Sequence, residues 1–346
     1  MSGQTRVTIA GAGALGLSCA LVLADAGVRV TVCDPAEPTA NASGVAGGMI
    51  APAFEAVLDL EARGHLDILL AARDLWAGLA DRAGLRLDRS GALAVGSDAW
   101  LGKVAAGFAG LGLHPAEIGH ATAEAMAPGL SPEFPRALLT REDWRIAPGA
   151  ALAGLRRAAE AAGVEFRRES ASGPVPGEVL VMATGAARGL SNVAPELARL
   201  SPIKGHIVRA ATAPGAVTVR GEGVYVTPAD GGVAIGATME AGRDDTEIEA
   251  DKVEPLRRAA VRLFPHLADA PVEIAAGVRG ATPDGLPMVG WSATPGVLLA
   301  VGARRNGWLL APLVAQVAAA CVTGRDPGPY GARFDPGRFR PVIRPA

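Results

Sequence analysis

Residues 7–34, VTIAGAGALGLSCALVLADAGVRVTVCD, constrain the fold of this chain more than any other stretch. A β-branched run, Val7 to Ile9, leads into Gly11, Gly13 and Gly16 at G-x-G-x-x-G spacing. An Ala/Leu-rich segment follows to about Ala26, and Val28–Cys33 reads as a second strand ending at Asp34. Each glycine has its own mechanical job. Gly11 permits the tight strand-to-helix turn, Gly13 lets backbone approach a phosphate, and Gly16 lets the helix lie close to the sheet. The free N–H groups and positive end of the helix then point at a pyrophosphate. Asp34, eighteen residues beyond Gly16, is placed to accept from ribose hydroxyls. In a chain with 45 glycines the spacing alone is a weak signal, and the strand, helix, second strand and terminal acid around it supply the specificity.

Composition excludes several classes of function. At 346 residues the chain is too long for one small core and suits two joined domains. The net charge is −2 with basic residues dispersed, so no footprint for nucleic acid or an anionic membrane is present, and small-molecule partners are expected. Val7–Ala24 is uncharged, yet three glycines interrupt it and it runs into a strand, which argues against a secretory segment. Trp308–Val322 contains Pro312 and Gln316 and falls short of the roughly 18–20 residues that span a bilayer. Cys19, Cys33 and Cys321 sit in apolar surroundings without metal-ligand spacing and read as reduced structural thiols of a cytoplasmic protein. His65, His114, His120, His206 and His266 are scattered, so no metal site is expected.

Beyond Asp34 a loop leads to GVAGGMIAP, residues 44–52, a surface poor in side chains that suits a flat ligand. Helical spacing from about Val57 to Gly84 predicts one long helix or two, and strand-like sequence begins at Leu85. Residues 98–130 have a helical, Ala-rich texture, Ala137–Ile146 reads as strand and turn, and Pro148–Ala162 as a helix capped by Gly163. EVLVMATGAA, 178–187, reads as a buried parallel strand breaking at Thr184-Gly185, where doubly wound sheets present ligands. Residues 203–239 are short alternating runs broken by Gly and Pro, which predicts an antiparallel sheet, and Asp251–Phe264 predicts a charged helix. Strand-like 272–280 and 287–301 precede a closing helix that starts just after Asn306-Gly307. The two kinds of segment alternate along the chain, so two interleaved domains are expected. Residues 1–84, 145–202 and 275–346 form the dinucleotide-binding one, and 85–144 and 203–274 the substrate-binding one.

Seven segments, in order, carry a family resemblance: GAGALG (11–16), ASGVAGGMIAP (42–52), VMATGA (181–186), IKGHI (203–207), GVYVTP with VAIGATME (223–240), GVRGATPDGLPMVG (277–290) and VGARRNGWLLAP (301–312). They resemble the D-amino-acid oxidase and sarcosine oxidase family of FAD-dependent amine oxidoreductases, and most resemble its thiamine-pathway glycine oxidases. The resemblance implies an α/β fold in which a Rossmann-like FAD-binding domain interleaves with an antiparallel-sheet substrate domain. It implies noncovalent FAD held by Gly11, Ala12, Gly13, Ala14, Leu15, Gly16, Asp34, Ser43, Gly47, Gly48, Met49, Val164, Thr184, Gly185, Arg305, Asn306, Gly307 and Trp308. None of the three cysteines stands where a covalent flavin link is expected.

Hydride transfer from an amino-acid Cα to a flavin asks the protein mainly to orient the substrate. A guanidinium can hold the carboxylate bidentately, and the resemblance gives that role to Arg279 in GVRGATPDG. By the same resemblance Tyr225 adds a phenol hydrogen bond, Met239 lines the pocket, and Arg305 is a second active-site arginine, with Arg304 as a competitor for that role. Tyr225 as a core aromatic and Met239 as simple packing remain the alternatives. Backbone N–H groups at the helix start after Arg305–Gly307 can stabilise negative charge developing on a reduced flavin ring. The sequence departs from the family twice. Ala303 and Arg304 replace the usual histidine and aromatic, and the connection RRESASGPVPGE is shorter than the family's usual β-meander.

These readings predict oxidative deamination of glycine or a similar small amino acid to its imine, with oxygen reduced to hydrogen peroxide, in thiamine thiazole biosynthesis. A D-amino-acid or sarcosine dehydrogenase with another acceptor, and a flavin-binding subunit without turnover, are the rivals. A homo-oligomer is left open.

Overall fold

In the computed structural model, which describes residues 4–213 and 215–339, the opening motif takes its expected form. The strand Arg6–Ala10 leads to the helix Ala14–Asp25, and the strand Arg29–Cys33 lies parallel to the first, Val7 opposite Val30 and Ala10 opposite Cys33. Val7, Ile9, Val30 and Val32 are buried, as central parallel strands covered on both faces require.

Six strands form this sheet. In order they are Met288–Trp291, Val297–Val301, Val179–Met182, Arg6–Ala10, Arg29–Cys33 and Glu165–Arg167. All neighbours are parallel except the outer pair Met288–Trp291 and Val297–Val301. The helices Ala14–Asp25 and Gly307–Thr323 share one buried cluster that includes Leu17, Leu21, Leu310, Val314 and Ala318. A third helix, Leu66–Ala83, is tied to them by Trp76, whose indole N–H donates to the Trp308 carbonyl at 2.8 Å.

A second sheet has nine strands. Ser201–Ala211 is its longest, pairing antiparallel with Gly232–Gly236 and Glu240–Ala241 on one side and with Val272–Ala281 on the other. Val224–Ala229, Thr218–Gly221, Ala92–Ala94, Arg136–Thr140 and Ala116–Gly119 continue the sheet outward. The helix Ala250–Leu263 packs Val253, Leu256 and Ala260 into a cluster with Val208, Val226 and Ile235. A two-stranded sheet, Met49–Ile50 with Trp144–Arg145, joins the remaining segments. The architecture is thus the expected α/β arrangement of a Rossmann-like parallel sheet and a largely antiparallel one.

Local differences have physical causes. The helical stretch expected over 98–130 is a helix Asp98–Gly110, a strand Ala116–Gly119 and a short helix His120–Met126. The strand lies at the sheet's outer edge and is mostly exposed, so no alternation of apolar residues announced it. Three helices, Pro52–Leu58, Leu60–Arg63 and Leu66–Ala83, replace the one or two expected from Val57. Pro52 opens the first at a position where its missing N–H costs nothing, and Asp59 caps the second by accepting from the Glu61 N–H. The strand expected from Leu85 shortens to Ala92–Ala94, and it runs parallel to Thr218–Gly221 within a sheet read as antiparallel. The strand Val272–Ala281 runs through the boundary expected at residue 275 and pairs along its whole length with Ser201–Ala211. Arg279 therefore enters the site from the second sheet.

Candidate active site

Two joined cavities lie where the sheets meet. The larger, about 710 Å³, runs from Asp34 past Gly13 and Ser43 to Thr184, Arg279 and Trp308. Its floor is the glycine turn. A Cβ on Gly16 would stand 2.0 Å from the Gly11 carbonyl oxygen, and one on Gly11, where φ is 111°, would stand 2.4 Å from that of Ala183. Both glycines are dictated by backbone packing. Gly13 instead faces Ser43, whose Oγ accepts the Ala14 N–H at 3.0 Å and keeps its own proton free to donate. The N–H groups of Leu15 and Gly16 lie in the first helical turn, where no intrahelical acceptor exists. Together they form a donor cluster at the positive end of a twelve-residue helix.

Asp34 is fixed beside this turn. Its Oδ2 accepts the Ala12 N–H at 2.7 Å and its Oδ1 the Ala36 N–H at 2.9 Å, leaving lone pairs for ribose hydroxyls. Ala14, Leu15, Gly185, Arg305 and Gly307 also line this groove. Ala12 and Gly16 do not line it and act on its shape through Asp34 and helix packing. Val164, expected among the cofactor contacts, lines neither cavity; it is buried in the apolar core, and Ser170 and Ala171 reach the groove wall instead. The donor cluster, the Asp34 carboxylate fixed beside it and the groove's extent fit a dinucleotide such as FAD. Cys33 lies beside Asp34, away from the end that holds Arg279.

The second cavity, about 370 Å³, shares Arg279, Arg305 and Trp308 with the first. Gly47, Gly48, Met49 and Asn306, read as cofactor contacts, belong to its wall, as do Tyr225 and Met239. Trp308 is held at the junction by its indole N–H, which donates to the Ser43 carbonyl at 3.0 Å. At the adjoining helix start the N–H groups of Gly307 and Trp308 precede the first intrahelical acceptor.

Arg279 is half-buried and lies over Gly205 of the neighbouring strand; a Cβ there would stand 2.1 Å from its Nη1. Its one hydrogen bond among the described residues is a long one, Nη1 to the Thr238 carbonyl at 3.5 Å. Among the described residues no carboxylate pairs with it. Burial pushes its pKa below the ordinary arginine value and the cations of Arg305 and Arg304 add to that, while Tyr225 and the Glu55 anion act in the opposite direction. The Tyr225 hydroxyl points between Gly47 and Gly236, whose added Cβ atoms would stand 3.3 and 2.4 Å from it. Burial pushes the phenol's pKa up, so it is a neutral O–H donor.

Arg305 is differently placed. It faces both cavities, but its Nε and Nη2 lie 2.7 and 3.0 Å from the two oxygens of Glu55, and its Nη1 lies 3.7 Å from Met239 Sδ. Arg304, at φ 49°, turns its side chain toward Asp59 and Glu61 and lines only the larger groove. The competition between the two arginines for the smaller cavity thus goes to Arg305.

Sequence reasoning missed Glu55 and Arg220. Both are buried, and Arg220 Nη2 also donates to Glu55 Oε1 at 3.0 Å. A lone acid inside the apolar run IAPAFEAVL was the available signal, because a buried charge demands a partner. His206 is buried with Nδ1 at 3.0 Å from Thr238 Oγ1, and its ligand atoms approach those of Glu240 and Glu249 within 4.8 Å. Lys204 and Arg243 already pair with those acids, so the cluster reads as an ion-pair network.

A family model described as FAD dependent oxidoreductase matches residues 6–321. The putative thiamine biosynthesis oxidoreductase ThiO of Rhizobium etli is 33% identical, with 92% of this chain and 97% of that one covered. The glycine oxidase of Pseudomonas aeruginosa is 29% identical, with 98% and 99% covered. The bifunctional protein ThiO/ThiG of Trichormus variabilis is 30% identical over 96% of this chain, which spans only 55% of that longer protein. Among solved structures, glycine oxidase from Geobacillus kaustophilus superposes with a TM-score of 0.78 at 25% identity, with 97% of this chain and 100% of that one covered. By its match over most of its length, and with a groove fit for a dinucleotide above its glycine turn, this chain belongs to the family of FAD-dependent oxidoreductases.

Proposed function

We propose that the chain oxidises glycine or a similarly small amino acid to its imine, with noncovalent FAD as electron carrier and oxygen as final acceptor, giving hydrogen peroxide. One observation carries this reading: of the three guanidiniums facing the smaller cavity, Arg279 alone has no carboxylate partner among the described residues. A half-buried cation without a paired carboxylate is costly, and an incoming carboxylate lowers that cost. Arg279 grips the carboxylate, and the Tyr225 O–H donates to it from the side. The α-carbon is thereby directed toward the junction with the dinucleotide groove, where Trp308 and the helix-start N–H groups lie.

FAD, when bound, supplies the two-electron acceptor. Ser43, Asp34 and the first turn of Ala14–Asp25 hold its pyrophosphate and ribose, and Met239 and Arg305 close the substrate side. The names of the relatives, glycine oxidase and ThiO, support glycine as substrate and a place in thiamine thiazole synthesis. No helix among the described residues is long and apolar enough to cross a membrane, which is compatible with the cytoplasmic location read from the cysteines.

The test is spectroscopic. Purified protein carries yellow flavin that acid releases, glycine bleaches it without air, and peroxide forms on aeration. Flavin that stays oxidised with glycine, sarcosine, D-alanine and D-proline alike would reduce the chain to a binding subunit. Bleaching without peroxide on aeration would move it to the dehydrogenases.

A further inference from the structure

We infer that Glu55 sets the charge selectivity of the substrate cavity: by tying up Arg220 and Arg305 it leaves Arg279 as the one docking point for an anion and restricts the cavity to monocarboxylates. The inference rests on the reading of Arg279 as the carboxylate anchor, and it adds a residue that neither the motifs nor the family resemblance brought forward.

Three structural elements meet at this carboxylate. Glu55 lies in the helix Pro52–Leu58, Arg220 in the strand Thr218–Gly221, and Arg305 in the turn before the helix Gly307–Thr323. Oε1 takes one N–H from each arginine, both at 3.0 Å, and Oε2 lies 2.7 Å from Arg305 Nε. Glu55 is only 4% exposed, so water does little to screen these pairs. Burial alone would push its carboxyl up, but the two guanidiniums overcome that and hold it below the ordinary glutamate value. The group is therefore an anion at neutral pH.

Size does not discriminate between ligands here. A cavity of about 370 Å³ equals roughly a dozen waters at about 30 Å³ each, ample for a second carboxylate. Charge does discriminate. A second carboxylate entering beside Arg279 meets the Glu55 anion, which already draws on both Arg220 and Arg305, so it would be desolvated against a like charge for a weakened attraction. Without Glu55 the same wall would offer Arg220 without a carboxylate partner and Arg305 with only Asp59 at 3.7 Å, and Arg304 would not interfere, since Asp59 and Glu61 hold it in the other groove.

Calorimetric titration of the FAD-loaded protein with acetate and with malonate tests this. Wild type is expected to bind malonate at least tenfold more weakly than acetate; equal affinities would overturn the inference. In Glu55→Gln malonate binding should tighten at least tenfold while acetate changes less than threefold, and an unchanged ratio in a variant that retains flavin would overturn it. Should that variant fail to fold, Arg220→Gln decides. It leaves Glu55 less neutralised, so malonate should weaken at least threefold, and an unchanged or tighter malonate affinity would overturn the proposal. Arg279→Met separates the two levels. Loss of acetate binding supports the anchor reading whatever Glu55 does, and unchanged acetate binding ends that reading itself.

Discussion

Asp143 reaches across ninety residues of chain to accept the backbone N–H of Ala53 at 2.8 Å, and its second oxygen accepts that of Phe54 at 3.2 Å. It thereby caps the helix that carries Glu55, and it is buried to 1% exposure. Burial is the main reason its carboxyl is pushed up to about 7, with the nearby Arg220 and the two N–H bonds acting in the opposite direction. The folded-state value lies above the unfolded one. This group's contribution to stability is therefore complete below about pH 4 and is lost as pH rises through about 7. Wild type should lose up to about 1.4 kcal/mol per pH unit from this group across that window. Asp143→Asn should lack this component, so urea-unfolding free energies of the two proteins should converge from about pH 5 to about pH 7 and run parallel up to pH 8. A gap that stays constant over that range would show Asp143 to be ionised throughout.

Gly205→Ala is expected to separate stability from binding. Its Cβ would collide with the far end of the Arg279 side chain, a flexible group that moves cheaply. The melting temperature should change little and the flavin content not at all, while KM for glycine rises about tenfold or more as the guanidinium leaves its position. A variant with wild-type KM would mean that Arg279 does not contact the substrate from this place.

Two substitutions at the glycine-turn end of the dinucleotide groove should fail differently. In Gly16→Ala the new Cβ meets backbone, the Gly11 carbonyl at 2.0 Å, and neither partner can yield without moving the strand-to-helix turn. A loss of about 3 kcal/mol or more is expected in denaturant unfolding. Asp34→Asn adds no clash but turns one of the two oxygens that accept the Ala12 and Ala36 N–H groups into an NH2, so a smaller stability loss of about 1–2 kcal/mol is expected, and with the proposed ribose contact weakened FAD should dissociate about tenfold more readily, read from recovered flavin fluorescence.

Trp76→Phe keeps most of the buried aromatic surface and removes the N–H that satisfies the Trp308 carbonyl. A cost of about 1–3 kcal/mol is expected from the orphaned acceptor. Because Trp308 lines both cavities, the flavin absorption band should also shift on substitution. An unshifted spectrum with the stability loss intact would confine Trp76 to the core.

The parallel sheet was legible because its signals are local: three glycines at fixed spacing, strands apolar on both faces, and an acid at a strand end. Arg279, Tyr225 and Arg305 were legible through motifs, and the structure brings all three to one cavity wall. What the sequence hid depends on partners distant in the chain. Glu55 and Arg220 are 165 residues apart, and nothing local in either segment states that they meet. The edge strand Ala116–Gly119 was hidden for the opposite reason, since it buries too little to need a pattern. Val164 illustrates the limit of carrying a role over by motif alone, because its side chain lies in the core while Ser170 and Ala171 line the groove.

The sheet order carries a consequence for biosynthesis. The strand Arg6–Ala10 emerges first, but one of its neighbours, Val179–Met182, is made only after half the chain, and that strand in turn waits for Val297–Val301. Pairings so remote in sequence make closure slow and leave unpaired parallel edges exposed on the ribosome. A chain halted before residue 297 therefore presents Val179–Met182 as a bare apolar border, so premature termination should yield aggregates rather than a half-working enzyme.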